Sequence, residues 1–170
     1  MGPFYDGAIH LVVSPDDLLG VIALALLAGL NGRRMGRQML CLLPASWVVG
    51  GCLGLLQSAE VVAPTASALS FLVPGVLLAL DARLPRAALL ALASLFGVFH
   101  GYLNGTLAAE AGLGMTGLMG ATLAVLVLAI LLGAFAATLP AGDWRRMAVR
   151  VMGSWIAAVG LLMVGWTLRG

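Results

Sequence analysis

Six long apolar runs, separated by short breaks that carry Arg, Gly, Pro or Asp, constrain the fold of this chain more than any other feature. Of its 170 residues, 62% are hydrophobic and 9% are charged, whereas soluble globular domains carry about 25% charged residues. A run of about 20 apolar residues can cross the hydrocarbon core of a bilayer as one helix. The composition therefore excludes a soluble domain and predicts an all-α membrane protein.

We predict a single integral membrane domain, residues 1–170, that forms a polytopic bundle of six transmembrane helices. The predicted spans are residues 14–31, 38–58, 61–80, 87–103, 112–139 and 147–168. Pro74 and Gly75 lie well inside the third span, where a membrane helix tolerates a kink if its neighbours satisfy the freed carbonyl group. The residues outside the spans suffice only for short loops, so we expect no additional soluble domain.

The distribution of the basic residues, all of them arginines, indicates how the spans are oriented. Eight of the nine fall on one side of the predicted bundle, and Arg169 falls on the other. The eight are Arg33, Arg34, Arg37, Arg83, Arg86, Arg145, Arg146 and Arg150. Short cytoplasmic loops retain positive charge far more than translocated loops do. We therefore expect the arginine loops in the cytoplasm and both termini outside.

The 23 glycines predict close contacts between helices. In lipid, two helix backbones approach each other where small side chains allow it. The candidate pairs are Gly50 with Gly54, Gly101 with Gly105, and Gly160 with Gly165. We expect a compact bundle in contact with the lipid bilayer, compatible with a homo-oligomer. No basic face of the kind that binds phosphate backbones is present in the sequence, so a nucleic-acid partner is not expected.

The few polar residues that are costly to bury gather on the predicted outer side. Asp6, His10, Asp16 and Asp17 precede or open the first span, His100 and Asn104 close the fourth, and Glu110 follows in the next loop. His100 comes directly after the apolar run at residues 95–99, and ionisable groups at such depth usually face a bundle interior or a water-filled path. Asn104 lies four positions further on and shares its helical face.

This set of side chains predicts a metal site. Its candidate ligands are Asp6, His10, Asp16, Asp17, His100 and Asn104. Imidazole, carboxylate and amide donors suit a borderline divalent cation such as Ni²⁺, Co²⁺ or Zn²⁺, and a Mg²⁺ or Ca²⁺ site would not call for histidine. Asp16 and Asp17 also have a structural interpretation. They follow Ser14 and Pro15, which fit the N-cap and first position of a helix whose positive end favours carboxylates.

Two segments carry a resemblance to a known family. The sequence FHGYLNG at residues 99–105 resembles the Phe-His-Gly-x-Ala-His-Gly signature of the HupE/UreJ small nickel permeases. The segments FYDGAIH at residues 4–10 and SPDDLL at residues 14–19 are similar to that family's first-helix pattern, His-Pro-x-x-Gly-x-Asp-His. The resemblance covers nearly the whole chain and implies a protein of the bacterial inner membrane.

The resemblance also implies a function and a set of matching residues. Members are described as secondary carriers of nickel, and in some cases cobalt, that supply hydrogenase or urease maturation. The positions that match the family motifs are His10, Asp16 and His100. Those that depart are Asp6, Asp17 and Asn104, each in place of a histidine, and Leu11 in place of a proline. Replacing imidazole by oxygen makes the donor set harder.

Our first hypothesis is a permease that captures a divalent transition-metal ion, nickel before cobalt, at its outer face, with Asn104 orienting or completing the ligand shell. The ion is cargo, and no tightly bound cofactor is expected. The second hypothesis is a non-transporting membrane accessory or assembly protein with a degenerate metal site. An enzyme is not expected, because no serine lies in a Gly-x-Ser-x-Gly context and the sequence contains no His-Glu-x-x-His.

Overall fold

The structure, a computed structural model, describes residues 2–57 and 64–169, and all regular secondary structure in this part of the chain is helical. The helices are α1 (Pro3–Val13), α2 (Pro15–Leu30), α3 (Arg33–Leu55), α4 (Pro64–Ala79), α5 (Arg86–Glu110), α6 (Gly114–Ala137) and α7 (Trp144–Thr167). Helices α3, α5, α6 and α7 are each long and apolar enough to cross a membrane, and α4 is a shorter apolar helix. The protein is therefore an all-α, multi-pass membrane protein.

The first predicted span differs most from the structure. Residues 14–31 correspond to α2 alone, and α1 precedes it as a separate helix that the sequence analysis did not predict. The axes of α1 and α2 differ by 76°, and together they pass the same length and hydropathy test as a single span. Pro15 explains the break, because it lacks an N–H group and disfavours helical backbone at the preceding residue. Ser14 accordingly is extended, with φ −83° and ψ 106°.

Other helix bounds move by several residues. Helix α3 begins at Arg33 and so includes three arginines that were assigned to a loop, and α5 continues to Glu110, which the sequence analysis placed in a loop. The first residues of the predicted third span, 61–63, lie outside the described part of the chain. Charged residues at the ends of membrane helices account for the first two differences, because they lower hydropathy without ending the helix.

Helices α3 and α5 pack backbone to backbone through glycines. A Cβ atom added at Gly50 would overlap the carbonyl oxygen of Val98, and one added at Gly101 would overlap that of Trp47. The same holds for Gly54 and Gly105, so both predicted pairs on these helices are confirmed. The prediction for Gly165 is wrong, since nothing lies within 4 Å of its added Cβ. This close approach places α3 against the turn of α5 that contains His100.

The helix ends that carry arginines meet at one end of the bundle, which we call the arginine end. Arg83 Nη1 donates to the Leu30 carbonyl oxygen at 2.8 Å, which joins the loop after α4 to the end of α2. Asn31 Nδ2 donates to the Ala82 carbonyl oxygen at 3.1 Å across the same junction. Arg146 at the start of α7 makes a two-point ion pair with Asp81, with N–O distances of 2.8 and 2.6 Å.

Asp81 should contribute stability that depends on pH. The hydrogen bond from Arg146 holds the pKa of this carboxyl below its ordinary value of 3.8, against the opposing effect of burial and with help from the charges of Arg146, Arg83 and Arg150. A lowered folded-state pKa stabilises the fold above the unfolded-state pKa, and this contribution is lost as pH falls through the folded-state value. Asp81→Asn should therefore destabilise the protein at pH 7 by about 1–3 kcal/mol.

Thermal unfolding in detergent at several pH values checks this expectation. The difference in melting temperature between wild type and Asp81→Asn should be full at pH 7 and should shrink below pH 3.8. Asp143→Asn is the matched control, because Asp143 accepts a hydrogen bond from the Arg145 backbone N–H at 3.0 Å but makes no ion pair among the described residues. A gap that stays constant down to the lowest pH would contradict the assignment.

Candidate metal centre

The break between α1 and α2 places one carboxylate, that of Asp17, inside the bundle and leaves that of Asp16 half-buried beside it. Asp16 and Asp17 occupy the first turn of α2, where the helix dipole favours negative charge. The Ser14 side chain makes no capping hydrogen bond, although Ser14 and Pro15 hold the predicted N-cap and first positions. Asp17 is 3% exposed and points toward α5. The role of Asp17 is therefore not limited to the start of α2, because its side chain also contacts α5.

His100 and Asn104 meet Asp17 from successive turns of α5. His100 Nδ1 lies 2.5 Å from Asp17 Oδ1, and Asn104 Nδ2 donates to Asp17 Oδ2 at 2.8 Å. Asn104 Nδ2 also lies 3.0 Å from the carbonyl oxygen of His100. His100 is fully buried and Asn104 is 5% exposed. Burial of polar groups is costly unless they are hydrogen-bonded, and here each of the three engages the others.

Two serines of α4 complete the cluster, and the sequence analysis did not select them. Ser70 Oγ lies 2.6 Å from His100 Nε2, and Ser67 Oγ donates to Asp16 Oδ2. Ser67 and Ser70 are three positions apart and so share one helical face. That spacing was the available signal. It could not be used from the sequence alone, because nothing there indicates which neighbour α4 faces.

Aromatic rings enclose the imidazole of His100. The Phe96 ring is stacked on it with centroids 4.1 Å apart, and the Trp47 ring lies roughly parallel at 6.2 Å. Phe99 approaches edge-on at 5.1 Å. Trp47 is fully buried. These rings exclude water from one side of the site and hold the orientation of the imidazole, as the shell around a metal ligand does.

Asp16, Asp17 and His100 form a group with the dimensions of a metal site. One ligand atom from each lies within 4.8 Å of those of the other two. The structure thus brings together four of the six residues selected from the sequence, since Asn104 bonds to Asp17. It places Asp6 and His10 elsewhere, outside this group. His10 Nε2 instead lies 3.3 Å from Ser14 Oγ.

Asp6 and His10 line a cavity of about 440 Å³ between α1, α5 and α6. Glu110 and Asn104 line the same cavity. Asn104 therefore contacts both this cavity and the buried Asp17 carboxylate. The cavity, which we call the vestibule, carries two carboxyl groups and an imidazole at the end of the bundle opposite to the arginine end.

The order Ser70–His100–Asp17 matches the connectivity of a hydrolase triad, but the surroundings of the serine differ. A serine nucleophile works beside free backbone N–H groups that stabilise the oxyanion. Ser70 lies inside α4, where backbone N–H groups are used by the helix, and its hydroxyl is 2.6 Å from the Ser67 carbonyl oxygen. The arrangement is suited to holding an imidazole and a carboxylate in place, as ligands require.

Comparison with known proteins relates this chain to a described family. The family model described as HupE / UreJ protein matches residues 1–163 of the chain. Protein HupE of Rhizobium leguminosarum bv. viciae is 27% identical over 164 residues, which cover 94% of this chain and 83% of that protein. No solved structure matches the chain. From the extent of the family match, we conclude that this chain belongs to the HupE/UreJ family.

Proposed function

We propose that the protein is a secondary permease for a divalent transition-metal ion, with nickel as the first candidate and cobalt as the second, in a bacterial inner membrane. Its family suggests a nickel or cobalt transport or accessory role. The observation that carries the proposal is the group formed by the half-buried Asp16 and the buried Asp17 and His100, at the break in the first helix pair.

The ligand chemistry supports a borderline cation. One imidazole and two carboxylates make three protein donors, which leave positions open for water or for a further ligand. Asn104 and Ser70 hold Asp17 and His100 in position by hydrogen bonds and so fix the orientation of these two ligands. An incomplete protein shell suits a transported ion, since the ion must be released again.

The topology supports a route from the outer face. If α1 and α2 form one broken span, six spans result, and the arginine end faces the cytoplasm by the positive-inside rule. Both termini and the vestibule are then outside. Broken helices that carry ion sites near the middle of the membrane are common in secondary transporters. Asp6, His10 and Glu110 would attract the ion, and Asn104 would pass it to Asp17.

The membrane potential suffices as an energy source. A divalent ion that moves inward across 100 mV, inside negative, gains about 4.6 kcal/mol, twice the roughly 2.3 kcal/mol per unit charge. The test is uptake of Ni²⁺ and Co²⁺ into proteoliposomes with a potassium diffusion potential, compared with protein-free liposomes. Uptake that rises with the potential supports the permease. Metal binding without any uptake would favour the accessory role instead.

Residues of the vestibule should affect the rate of metal uptake strongly and the metal affinity of the Asp16, Asp17 and His100 group only weakly. His10→Ala with Glu110→Gln should lower the uptake rate about tenfold at low ionic strength, because charged entrances raise local ion concentration and on-rates by 10–10³-fold. The equilibrium affinity should change less than threefold. The matched control for Glu110→Gln is Asp143→Asn, which removes a carboxylate at the arginine end and should leave the uptake rate unchanged. Equal uptake by all variants would remove the vestibule from the pathway.

A further inference from the structure

Three arginines at the start of α3 have no partner for their charge in the described part of the chain. Arg33, Arg34 and Arg37 are exposed, and none makes a hydrogen bond or ion pair with residues 2–57 or 64–169. By contrast, Arg83 of the same end is bonded to Leu30, and Arg146 is paired with Asp81. The start of α3 thus presents a concentrated positive charge that the fold does not use.

Two apolar grooves flank these arginines. The first, of about 1030 Å³, is lined by Arg33, Arg34 and Arg37 and by apolar residues that include Leu42, Ala45 and Leu90. The second, of about 310 Å³, lies on the other side of α3 and is lined by Arg33 and Arg37 together with Ile130, Gly133 and Ala134 of α6. Arg33 and Arg37 therefore belong to both grooves.

The level of this feature along the helix matches that of lipid headgroups. Helix α3 has 23 residues, so it is roughly 34 Å long against a hydrocarbon core of about 30 Å. Its first turn therefore lies at the membrane interface, while Leu42 and Ala45 lie at acyl-chain depth. The N-cap residue, Gly32, supplies no side-chain hydrogen bond, so the first backbone N–H groups also face outward and favour an anion.

We infer that this surface is a binding site for an anionic glycerophospholipid, with the phosphate held by Arg33, Arg34 and Arg37 and one acyl chain in each flanking groove. Charge complementarity selects the anionic headgroup, because basic pockets between membrane helices bind such headgroups. Guanidinium groups bind phosphate in a two-point geometry. Because both grooves adjoin Arg33 and Arg37, a lipid with two acyl chains fits this surface.

The test is native mass spectrometry of the full chain, titrated with phosphatidylglycerol or with phosphatidylcholine of the same acyl chains. The first variant is Arg33→Gln/Arg34→Gln/Arg37→Gln. Its matched control is Arg86→Gln/Arg145→Gln/Arg169→Gln, which removes the same charge at exposed arginines that line neither groove. Phosphatidylglycerol retention should fall about 100-fold in the first variant, since it removes three basic residues and each one near an anionic surface is worth about fivefold. It should fall less than threefold in the control.

A second variant keeps all arginines and tests the grooves if the first fails to insert. Ala45→Phe with Ala134→Phe fills both grooves from exposed positions. We expect this variant to retain phosphatidylglycerol at least fivefold more weakly than wild type. Inorganic phosphate should not displace phosphatidylglycerol from the wild-type protein. Equal retention of both lipids by wild type, unchanged retention in the groove-filled variant, or displacement by phosphate would overturn the inference. A protein dimer that is seen for wild type and lost in the groove-filled variant would assign the surface to a second copy of the protein. That result would also overturn the inference.

Discussion

Replacing His100 by alanine should weaken binding of Ni²⁺ or Co²⁺ by more than 100-fold while the protein still inserts into the membrane. His100 is the only imidazole in the group with Asp16 and Asp17 among the described residues. Removing even an outer-shell partner of a metal ligand typically costs 10- to 100-fold in affinity, so loss of the imidazole itself should cost more. Asp17→Asn should have a similar effect, because an amide supplies no negative charge.

Trp47 offers a direct readout of this prediction. Its ring lies 6.2 Å from that of His100, whereas Trp144, Trp155 and Trp166 are 73%, 70% and 83% exposed. In a background in which those three are phenylalanine, quenching of Trp47 by Ni²⁺ or Co²⁺ should report occupancy of the site. Isothermal titration with Ni²⁺, Co²⁺, Zn²⁺ and Mn²⁺ gives an independent affinity and names the preferred ion.

The controls separate loss of the site from loss of the fold. Asp143→Asn makes the same chemical change as Asp17→Asn at the arginine end and should bind metal like wild type. Ser70→Ala keeps all three ligands but removes the contact at His100 Nε2, and should weaken binding about 10-fold. Metal affinity in folded His100→Ala equal to that of wild type would disprove the site.

Gly101→Val should destabilise the bundle by about 3 kcal/mol or more, the second large effect that we expect. The added Cβ would overlap the Trp47 carbonyl group, and a backbone atom cannot move aside as the end of a flexible side chain can. Overpacking typically costs 1–3 kcal/mol when the neighbours are side chains. Because Gly101 follows His100 directly, separation of α3 from α5 should also disturb the stacking of Trp47 on the imidazole.

Thermal unfolding in detergent, followed by circular dichroism and by Trp47 fluorescence, measures both consequences. Gly165→Ala is the matched control, because its added Cβ meets nothing within 4 Å, and its effect on stability should stay within about 1 kcal/mol. A Gly101→Val protein with the melting temperature of wild type would show that α3 and α5 are not in backbone contact.

Several features of the fold and the site could be predicted from local sequence. Hydropathy alone located helices α2 to α7, because a membrane helix must cover its backbone with apolar side chains over its whole length. The four-residue spacing of His100 and Asn104 predicted that both lie on one helical face, and both side chains contact Asp17. The glycine pairs at Gly50 and Gly101 predicted close backbone contact, since this depends on the absence of a Cβ.

Other features depend on how the helices are arranged. The separate helix α1 was missed, because its hydropathy is interrupted by Asp6 and His10. Those two residues were grouped with Asp16 and Asp17 because all four lie on the predicted outer side. The 76° break at Pro15 directs them into the vestibule and turns Asp17 toward α5. Bend angles depend on packing against neighbouring helices, and no local pattern reports them.

The sequence by itself determined that the chain is a helical membrane protein, which residues are costly to bury, and where the positive charge lies. These are properties of single residues or of short periodic patterns, and they determine whether each helix can cross the bilayer regardless of its neighbours. Only the tertiary structure decided that Ser67 and Ser70 of α4 contact Asp16 and His100 and that the Trp47 ring lies beside the imidazole. Contacts between helices distant in sequence depend on the rotation of each helix about its axis, which in lipid is set by side-chain packing rather than by hydropathy.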